Sequence, residues 1–436
     1  MKRRFQKILT DFIEKEITGI LPRDYPIPLE SRKIISLIGV RRSGKSSILF
    51  NHITALRKRY PRENVLYINF EDDRLFPLTL NDLDDLLEGY FELYPSKLDE
   101  RIFLFIDEVQ VVPSWERYVR RIYDTLNIQI FITGSSANLL HKEIATALRG
   151  RTVSFEIFPF SFSEYLRFKG VRPNLHSSRS RSRIGHHLEH YLIDGGFAET
   201  INEQSLIARK ILSDYLELIV YKDIADRHHI TNTALLKHLN KYCFTNIATL
   251  LSFTRLYNEF KSQGFKLSKD TIFNYMAYLE DAYALFTVPI YRNNIKAEQR
   301  NPKKIYAVDN GFKKIYDYAI SADKSKLYEN VVFTHLRRQS AEIYYYKGTQ
   351  EVDFYVRING EQRVINVCYQ MDDPQTRKRE IGGLLEAMDY FDLAQGTIVT
   401  AEEKETLFID RKEVCITPLY EWLLENPGHL AEETDQ

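Results

Sequence analysis

The stretch IISLIGVRRSGKSS, residues 34–47, determines how the rest of the sequence is interpreted. Its second part matches the pattern G-x4-G-K-[ST], a loop whose backbone N–H groups surround nucleotide phosphates. The apolar run before the loop predicts a buried strand, and the segment after it predicts a helix whose amino terminus faces the phosphates. We therefore expect a nucleotide site built from Gly39, Arg41, Arg42, Ser43, Gly44, Lys45, Ser46 and Ser47.

Two acids about sixty residues further on complete this pattern. The apolar run from Phe103 to Ile106 predicts a buried strand that ends in Asp107 and Glu108. In such a site Lys45 binds the β- and γ-phosphates, Ser46 and Asp107 hold Mg²⁺, and Glu108 polarises the attacking water. The cofactors expected from this pattern are ATP and Mg²⁺, and the expected reaction is hydrolysis.

Two further segments are candidates for contact with the γ-phosphate. The run from Ile128 to Ile132 continues into T-G-S-S, where Ser135 is placed to reach the γ-phosphate or the water; a helix cap formed by Ser135 and Ser136 is the alternative. A cation from a neighbouring subunit often completes such sites. Arg151 is our candidate, together with Arg149, and a surface or interdomain salt bridge explains these arginines equally well.

The first 200 residues alternate short apolar runs with helical patterns. The runs cover residues 34–39, 64–70, 101–109, 128–134 and 151–158. Continuous apolar strands separated by helices are typical of a parallel sheet that is covered on both faces. The Ser- and Arg-rich stretch 173–186 is interpreted as a linker, with phosphate binding by its arginines as the alternative.

Residues 206–283 are helical in pattern and are followed by a strand-like run, which predicts a helix-turn-helix or winged-helix module. In the last helix Ser268 is the expected cap, and Ile272, Tyr275, Met276 and Leu279 are spaced to bury one face. Lys269, Thr271 and Asn274 would then face outward, toward a DNA groove. The alternative is a module that serves packing or oligomerisation.

After residue 300, strand-like runs return, with helices expected at about 328–339 and 376–392, which indicates a further α/β or α+β domain. A chain of 436 residues is long enough for about three domains. We place them at 1–205, 206–295 and 296–436.

Composition excludes several classes of protein. The sequence is 44% hydrophobic and 13% aromatic, which excludes a disordered or fibrous chain. Three widely spaced cysteines argue against a disulfide framework or structural zinc. Without a long apolar segment, a soluble cytoplasmic protein with no membrane partner is expected. The 60 basic and 60 acidic residues cancel overall, but residues 296–436 carry a net charge of −6.

Several motifs in order resemble the prokaryotic AAA ATPases that carry a DUF4143 carboxy-terminal region. Besides the phosphate loop, these are N-F-E-D at 69–72 with Arg74, D-E-V-Q at 107–110, P-S-W-E at 113–116, T-G-S-S at 133–136, R-G-R at 149–151, F-P-F-S-F-S-E-Y at 158–165, D-G-G-F at 194–197 and Y-K-D-I at 221–224. The resemblance covers nearly the whole chain. It implies an AAA+-type ATPase domain, a winged-helix module and a terminal domain similar to the PD-(D/E)xK restriction-endonuclease fold.

The implied nuclease site is incomplete. Glu329 matches the acid on a helix, and Asp353 matches the acid on a strand, but Asn366 and Cys368 stand where a Glu-x-Lys pair is needed. An amide lacks the charge of a carboxylate, and a thiol does not replace an ammonium group, so metal binding and water activation should both fail. We expect a catalytically inactive domain.

The leading interpretation is an ATP hydrolase that couples nucleotide state to its winged-helix and nuclease-like modules. The alternatives are a nucleotide-gated DNA-binding switch and, less favoured by Asn366 and Cys368, an ATP-dependent nuclease of a defence or mobile-element system. DNA at the winged helix, an unidentified protein client and further copies of this chain are the candidate partners.

Overall fold

The computed structural model describes residues 1–134, 148, 150–294, 298, 301–316 and 324–425. By compactness the chain divides into two units, Met1–Phe158 and Pro159–Gln436. The predicted division 1–205, 206–295 and 296–436 remains a prediction. The first compact unit ends before residue 205 because the helices Phe162–Phe168 and Ser178–Asp194 pack on helices of the second unit.

A five-stranded parallel sheet is the centre of the first unit, as the sequence predicted. The strand order is β2-β3-β4-β1-β5. The central strands are buried along their whole length because their apolar runs contact both covering layers. The strands are β1 (Ile34–Ile38), β2 (Val65–Asn69), β3 (Ile102–Asp107), β4 (Ile128–Gly134) and β5 (Thr152–Glu156), and the helices are α1 (Lys2–Glu14), α2 (Lys45–Leu56), α3 (Asp84–Leu93) and α4 (Trp115–Thr125).

The register of these strands determines which side chains meet at one edge. Leu37 pairs with Thr133, and Asn69 pairs with Asp107. Since parallel strands end at the same edge, the loop after β1 lies beside the ends of β3 and β4, as expected from the sequence. β4 lies between β3 and β1, so β3 and β1 are about 10 Å apart.

The second unit begins with helices that enclose a small antiparallel sheet of order β6-β8-β7. The predicted inward face of the helix that begins at Lys269 is confirmed, with Ile272, Tyr275, Met276 and Leu279 all buried. The elements are α5 (Phe162–Phe168), α6 (Ser178–Asp194), α7 (Ser205–Leu218), a π-helical segment (Ile219–Asp226), α8 (Thr233–Thr245), β6 (Thr249–Leu251), α9 (Phe253–Ser262), α10 (Lys269–Asp281), β7 (Leu285–Val288), β8 (Lys303–Ala307) and α11 (Gly311–Tyr316).

The linker prediction for residues 173–186 is wrong from Ser178 onward. Helix α6 begins there, and the Ser177 side chain caps it by accepting a hydrogen bond from the Ser180 amide. The helix forms because Ile184, Leu188 and Leu192, spaced four residues apart, bury a continuous stripe that the surrounding serines and arginines obscure in the sequence.

A mixed six-stranded sheet of order β13-β14-β12-β11-β10-β9 forms the rest of the second unit. β12 runs parallel to β11 and β14, and the other pairs are antiparallel. The elements are α12 (Lys324–Arg338), β9 (Glu342–Lys347), β10 (Glu351–Ile358), β11 (Glu361–Val367), α13 (Pro374–Phe391), β12 (Gln395–Thr400), β13 (Glu405–Ile409), β14 (Lys412–Pro418) and α14 (Leu419–Glu425).

The D-G-G-F motif has a structural explanation in the second unit. The buried Asp309 carboxylate accepts hydrogen bonds of 2.8 Å from the amides of Gly196 and Gly311. A Cβ atom on Gly195 would lie 1.7 Å from Asp309 Oδ1. Gly195 is therefore needed for the carboxylate to approach the chain this closely, whereas Gly196 is needed because a Cβ atom there would lie 2.4 Å from Phe160 O.

Candidate functional site

The loop between β1 and α2 has the backbone conformation that its glycines permit. Gly39 has φ +148° and lies so close to β5 that a Cβ atom would be 2.1 Å from Ile157 O. Gly44, with φ +93°, immediately precedes α2. Arg42 adopts φ +63°, a conformation that costs free energy in a residue other than glycine and is concentrated at functional sites. The loop therefore approaches the sheet closely and leads directly into the amino terminus of α2.

Lys45 is buried, and its Nζ lies 3.0 Å from Gly39 O and 3.0 Å from Val40 O. The ammonium group is thus positioned inside the loop that its own motif defines. Ser46 follows in the first turn of α2, where the backbone amides have no intrahelical acceptor. This end of α2 carries the partial positive charge that stabilises phosphate.

Asp107, at the end of β3, is 2% exposed, and both its oxygens accept hydrogen bonds. Tyr67 donates its hydroxyl to Oδ2 at 2.9 Å, and Thr133 donates its hydroxyl to Oδ1. Burial, followed by the charge of Asp107, raises the pKa of Tyr67 well above its ordinary value, so the phenol stays a donor. The carboxylate is thereby fixed in one orientation, and each oxygen keeps a second lone pair for a further ligand.

Glu108 sits in a turn with φ +53°. Its amide donates to Thr133 Oγ1 at 3.0 Å, and its carboxylate accepts a hydrogen bond from the Gln110 amide group. Thr133 therefore links Asp107 and Glu108 across two strands. The side chain of Glu108 is half-buried, so it is held in place and still reachable by water.

Of the residues predicted to contact the γ-phosphate, the structure describes only Arg151. Ser135, Ser136 and Arg149 lie outside the described residues. Arg151 forms an ion pair with Asp124 (Nε–Oδ1 2.9 Å), which is the salt-bridge alternative that the sequence left open. Its role at a γ-phosphate remains a prediction.

Arg23 is a candidate site residue that sequence reasoning missed. Its Nη1 donates to Ser43 O at 2.7 Å, its Nη2 donates to Phe158 O at 2.8 Å, and its guanidinium lies 5.4 Å from the centre of the Tyr25 ring. The phosphate loop is therefore braced from outside its own sequence motif. No periodic pattern surrounds Arg23, and it lies twenty residues before the loop segment it contacts, so its position gave no signal.

A second group of charged residues lies in the terminal part of the chain. The predicted acids Glu329 and Asp353 come together there, because both form ion pairs with Lys304 at 3.0 and 2.7 Å. Asn366 accepts a hydrogen bond from the Asp353 amide, whereas the Cys368 thiol donates to Gln370 O. Sequence reasoning did not include Lys304.

Among the residues that the structure describes, no three His, Cys, Asp or Glu side chains are arranged to hold a metal ion by themselves. For Mg²⁺ at the phosphate loop, the donors present are the Asp107 carboxylate and the Ser46 hydroxyl. Oxygen donors of this kind, few in number and supplemented by water and phosphate, are the set that Mg²⁺ prefers. No helix in the described part of the chain is long and apolar enough to cross a membrane.

The phosphate loop leads into a helix and lies next to a strand that ends in two acids. This arrangement, on a parallel five-stranded sheet, gives the first unit the fold of AAA-type P-loop ATPases. The model of a protein family described as an AAA domain matches residues 31–166. A second model, described as a domain of unknown function (DUF8612), matches residues 185–317. The DUF4143 label that the resemblance suggested for residues 296–436 is not shown by these matches.

The relatives extend over nearly the whole chain. The uncharacterized protein MJ1544 of Methanocaldococcus jannaschii is 32% identical over 434 residues, which cover 96% of this chain and 95% of the relative. An uncharacterized protein of Haemophilus influenzae is 31% identical over 395 residues, covering 90% and 94%. The chain therefore belongs to the same family as MJ1544. A solved Walker-type ATPase of Pyrococcus abyssi, PABY2304, is similar at a TM-score of 0.40 with 16% identity, covering 72% of this chain and 95% of that one.

Proposed function

We propose that this protein binds ATP with Mg²⁺, hydrolyses it, and uses the nucleotide state to control its winged-helix and nuclease-like modules. The observation that supports this most strongly is the convergence of the Lys45 loop, Asp107 and Glu108 at one edge of the parallel sheet. The pairing of β3 with β4 and of β4 with β1 supports this placement.

Each residue then has a defined task. Lys45 neutralises the β- and γ-phosphates, and the amides at the start of α2 bind their oxygens. Asp107 and Ser46 would hold the magnesium ion, which supplies positive charge to the transferred phosphoryl group. Glu108 accepts the proton of the attacking water. Ser135 and Arg151 are proposed to contact the γ-phosphate, Arg151 from a neighbouring copy of the chain.

The winged-helix part of the proposal rests on topology. Helix α8 is followed by a strand, two helices and two strands, and the sheet order is β6-β8-β7. This is the arrangement expected of a winged helix, with α10 as the second helix of a helix-turn-helix pair. α10 begins with a capping box between Ser268 and Thr271 and leaves Lys269 and Asn274 exposed.

The function is tested by separating binding from turnover. Lys45→Ala should abolish nucleotide binding, because it removes the cation inside the loop. Glu108→Gln should bind ATP normally and fail to turn it over, so purification with ATP and Mg²⁺ should yield an ATP-loaded protein whose mass and retained partners can be measured. Glu88→Gln, an exposed acid on α3 paired with Lys2, is the matched control and should behave as wild type. Nucleotide binding that survives Lys45→Ala would contradict the assignment.

A second candidate function, a nucleotide-gated DNA-binding switch, is favoured by the surface of α9 and α10. The ammonium groups of Lys261 and Lys269 lie 5.7 and 5.8 Å from the centre of the Tyr257 ring. A basic surface around an aromatic ring suits a nucleic-acid backbone. The switch predicts salt-dependent DNA binding that differs between ADP and a non-hydrolysable ATP analogue and weakens in Lys269→Ala. Equal binding in both nucleotide states would exclude the switch.

A further inference from the structure

The terminal part of the chain contains a buried ammonium group surrounded by acids. Lys304 is 3% exposed. Its Nζ lies 3.0 Å from Glu329 Oε1, 3.0 Å from Glu351 Oε1 and 2.7 Å from Asp353 Oδ1. We call these four residues the Lys304 cluster.

The cluster connects two sheets. Lys304 is on β8 of the three-stranded sheet, Glu329 is on α12, and Glu351 and Asp353 are on β10 of the six-stranded sheet. All four residues lie within the predicted domain 296–436, but the cation comes from a strand that pairs with β6 and β7 of the preceding module. Tyr306, two residues along β8, donates its hydroxyl to Glu329 Oε1 at 2.6 Å.

The Lys304 ammonium group is held against three carboxylates. It donates hydrogen bonds to Glu329 Oε1 and Asp353 Oδ1 and forms an ion pair with Glu351. Burial by itself would lower the pKa of Lys304, but the charges of Asp353 and Glu329 outweigh it and raise the pKa well above the ordinary value.

The hydrogen bonds around the cluster extend to the neighbouring strand β11. Asn366 is engaged as well, since its oxygen accepts from the Asp353 amide and its nitrogen donates to Glu380. The polar side chains of this site are therefore hydrogen-bonded to neighbouring protein groups.

We propose that the Lys304 ammonium group is the built-in cation of this carboxylate site, in the place where a nuclease of the fold that the domain resembles binds its divalent metal. The terminal domain consequently binds no catalytic metal, does not cut DNA, and is joined to the preceding module through β8. This inference rests on the nuclease-like assignment of the terminal domain and is independent of ATP hydrolysis.

Terbium luminescence tests the proposal on the full-length chain without nucleotide. Tb³⁺ binds to carboxylate sites that accept divalent metals and emits when nearby tyrosines are excited; the Tyr345 ring centre is 6.0 Å from Lys304 Nζ, and Tyr306 touches Glu329. Wild type should show no saturable site that Asp353→Asn removes; terbium bound at Asp107, beside Tyr67, would not depend on that substitution. Lys304→Met, of similar length and without charge, should create one that binds at least tenfold more tightly than any wild-type site.

Two controls make the result specific. Lys303→Met, on the same strand, should leave terbium binding as in wild type, and Asp353→Asn in the Lys304→Met background should remove the new site. Failure of folded Lys304→Met to gain a site would overturn the proposal.

A measurement on wild type covers the case in which Lys304→Met does not fold. Wild type is incubated with Mn²⁺ or Mg²⁺ and single- or double-stranded DNA, and no cleavage is expected. Cleavage, or Mn²⁺ binding, that disappears in Asp353→Asn would overturn the proposal. Because ATP turnover is measured separately, its loss would leave this inference unaffected.

Discussion

Replacing Gly195 by alanine should unfold or strongly destabilise the second unit, because two independent costs fall on one position. Gly195 ends α6 with φ +77° and ψ −166°, a region that is nearly restricted to glycine and costs about 1–3 kcal/mol for other residues. The new Cβ atom would lie 1.7 Å from Asp309 Oδ1 and would displace that carboxylate. Its two hydrogen bonds to backbone amides are worth about 1.5–3 kcal/mol each. The sum is at least about 4 kcal/mol.

The two tryptophans provide the assay, since Trp115 belongs to the first unit and Trp422 to the second. In a Trp115→Phe background, urea unfolding followed by fluorescence reports on Trp422, which is buried. With a slope of about 3 kcal/mol per molar urea, a loss of about 4 kcal/mol lowers the midpoint by more than about 1 M.

Gly185→Ala is the matched control on the same helix. No atom lies within 4 Å of a Cβ atom at Gly185, and alanine in a helix interior is about 0.5–1 kcal/mol more stable than glycine. We expect its midpoint to stay equal or to rise. A Gly195→Ala midpoint within about 0.3 M of this control would refute the structural explanation of the D-G-G-F motif.

Arg23→Ala removes the hydrogen bonds that Arg23 donates to Ser43 O and Phe158 O. This variant should bind ATP about tenfold more weakly (about 1.4 kcal/mol) in a fluorescent-nucleotide titration, and unchanged affinity would contradict the proposed role of Arg23. Burial lowers the pKa of His52 in the folded state, so unfolding should become easier as pH falls below about 6.5, where the unfolded chain takes up the proton first. Urea unfolding at pH 7.5 and 5.5 should show a smaller pH dependence in His52→Gln than in wild type, and equal dependence would contradict the assignment. Lys304→Met should lower the free energy of unfolding by about 3 kcal/mol by leaving three carboxylates without their cation, against less than about 0.5 kcal/mol for Lys303→Met.

Local signals account for the parts of the fold that could be predicted. The apolar runs of the parallel sheet are continuous and end in turn-forming residues, so their positions follow from the sequence alone. The helix at residues 178–194 shows the limit of composition as a guide. Its apolar positions Ile184, Leu188 and Leu192 carry a helical period, but the Ser- and Arg-rich start of the segment dominated the interpretation.

Contacts between distant residues account for what could not be predicted. Arg23 meets the phosphate loop, and Lys304 meets Asp353, across sequence separations that no local pattern records. The acids Glu329 and Asp353 were identified by their place in a motif, whereas their cation comes from a strand of a different sheet. Sequence patterns therefore identified the carboxylates and missed the group that determines their chemistry.

Phosphate release from ATP, measured for wild type and Glu108→Gln at saturating ATP and Mg²⁺, tests the central claim most directly. Loss of a general base typically slows proton transfer by a factor of about 10²–10⁴, while ATP affinity should stay within about twofold because Lys45 and the loop are unchanged. We predict turnover in wild type and at least a hundredfold lower rate in Glu108→Gln. Equal rates in the two proteins would contradict the assigned base, and no turnover in folded, ATP-bound wild type would contradict the proposed ATPase.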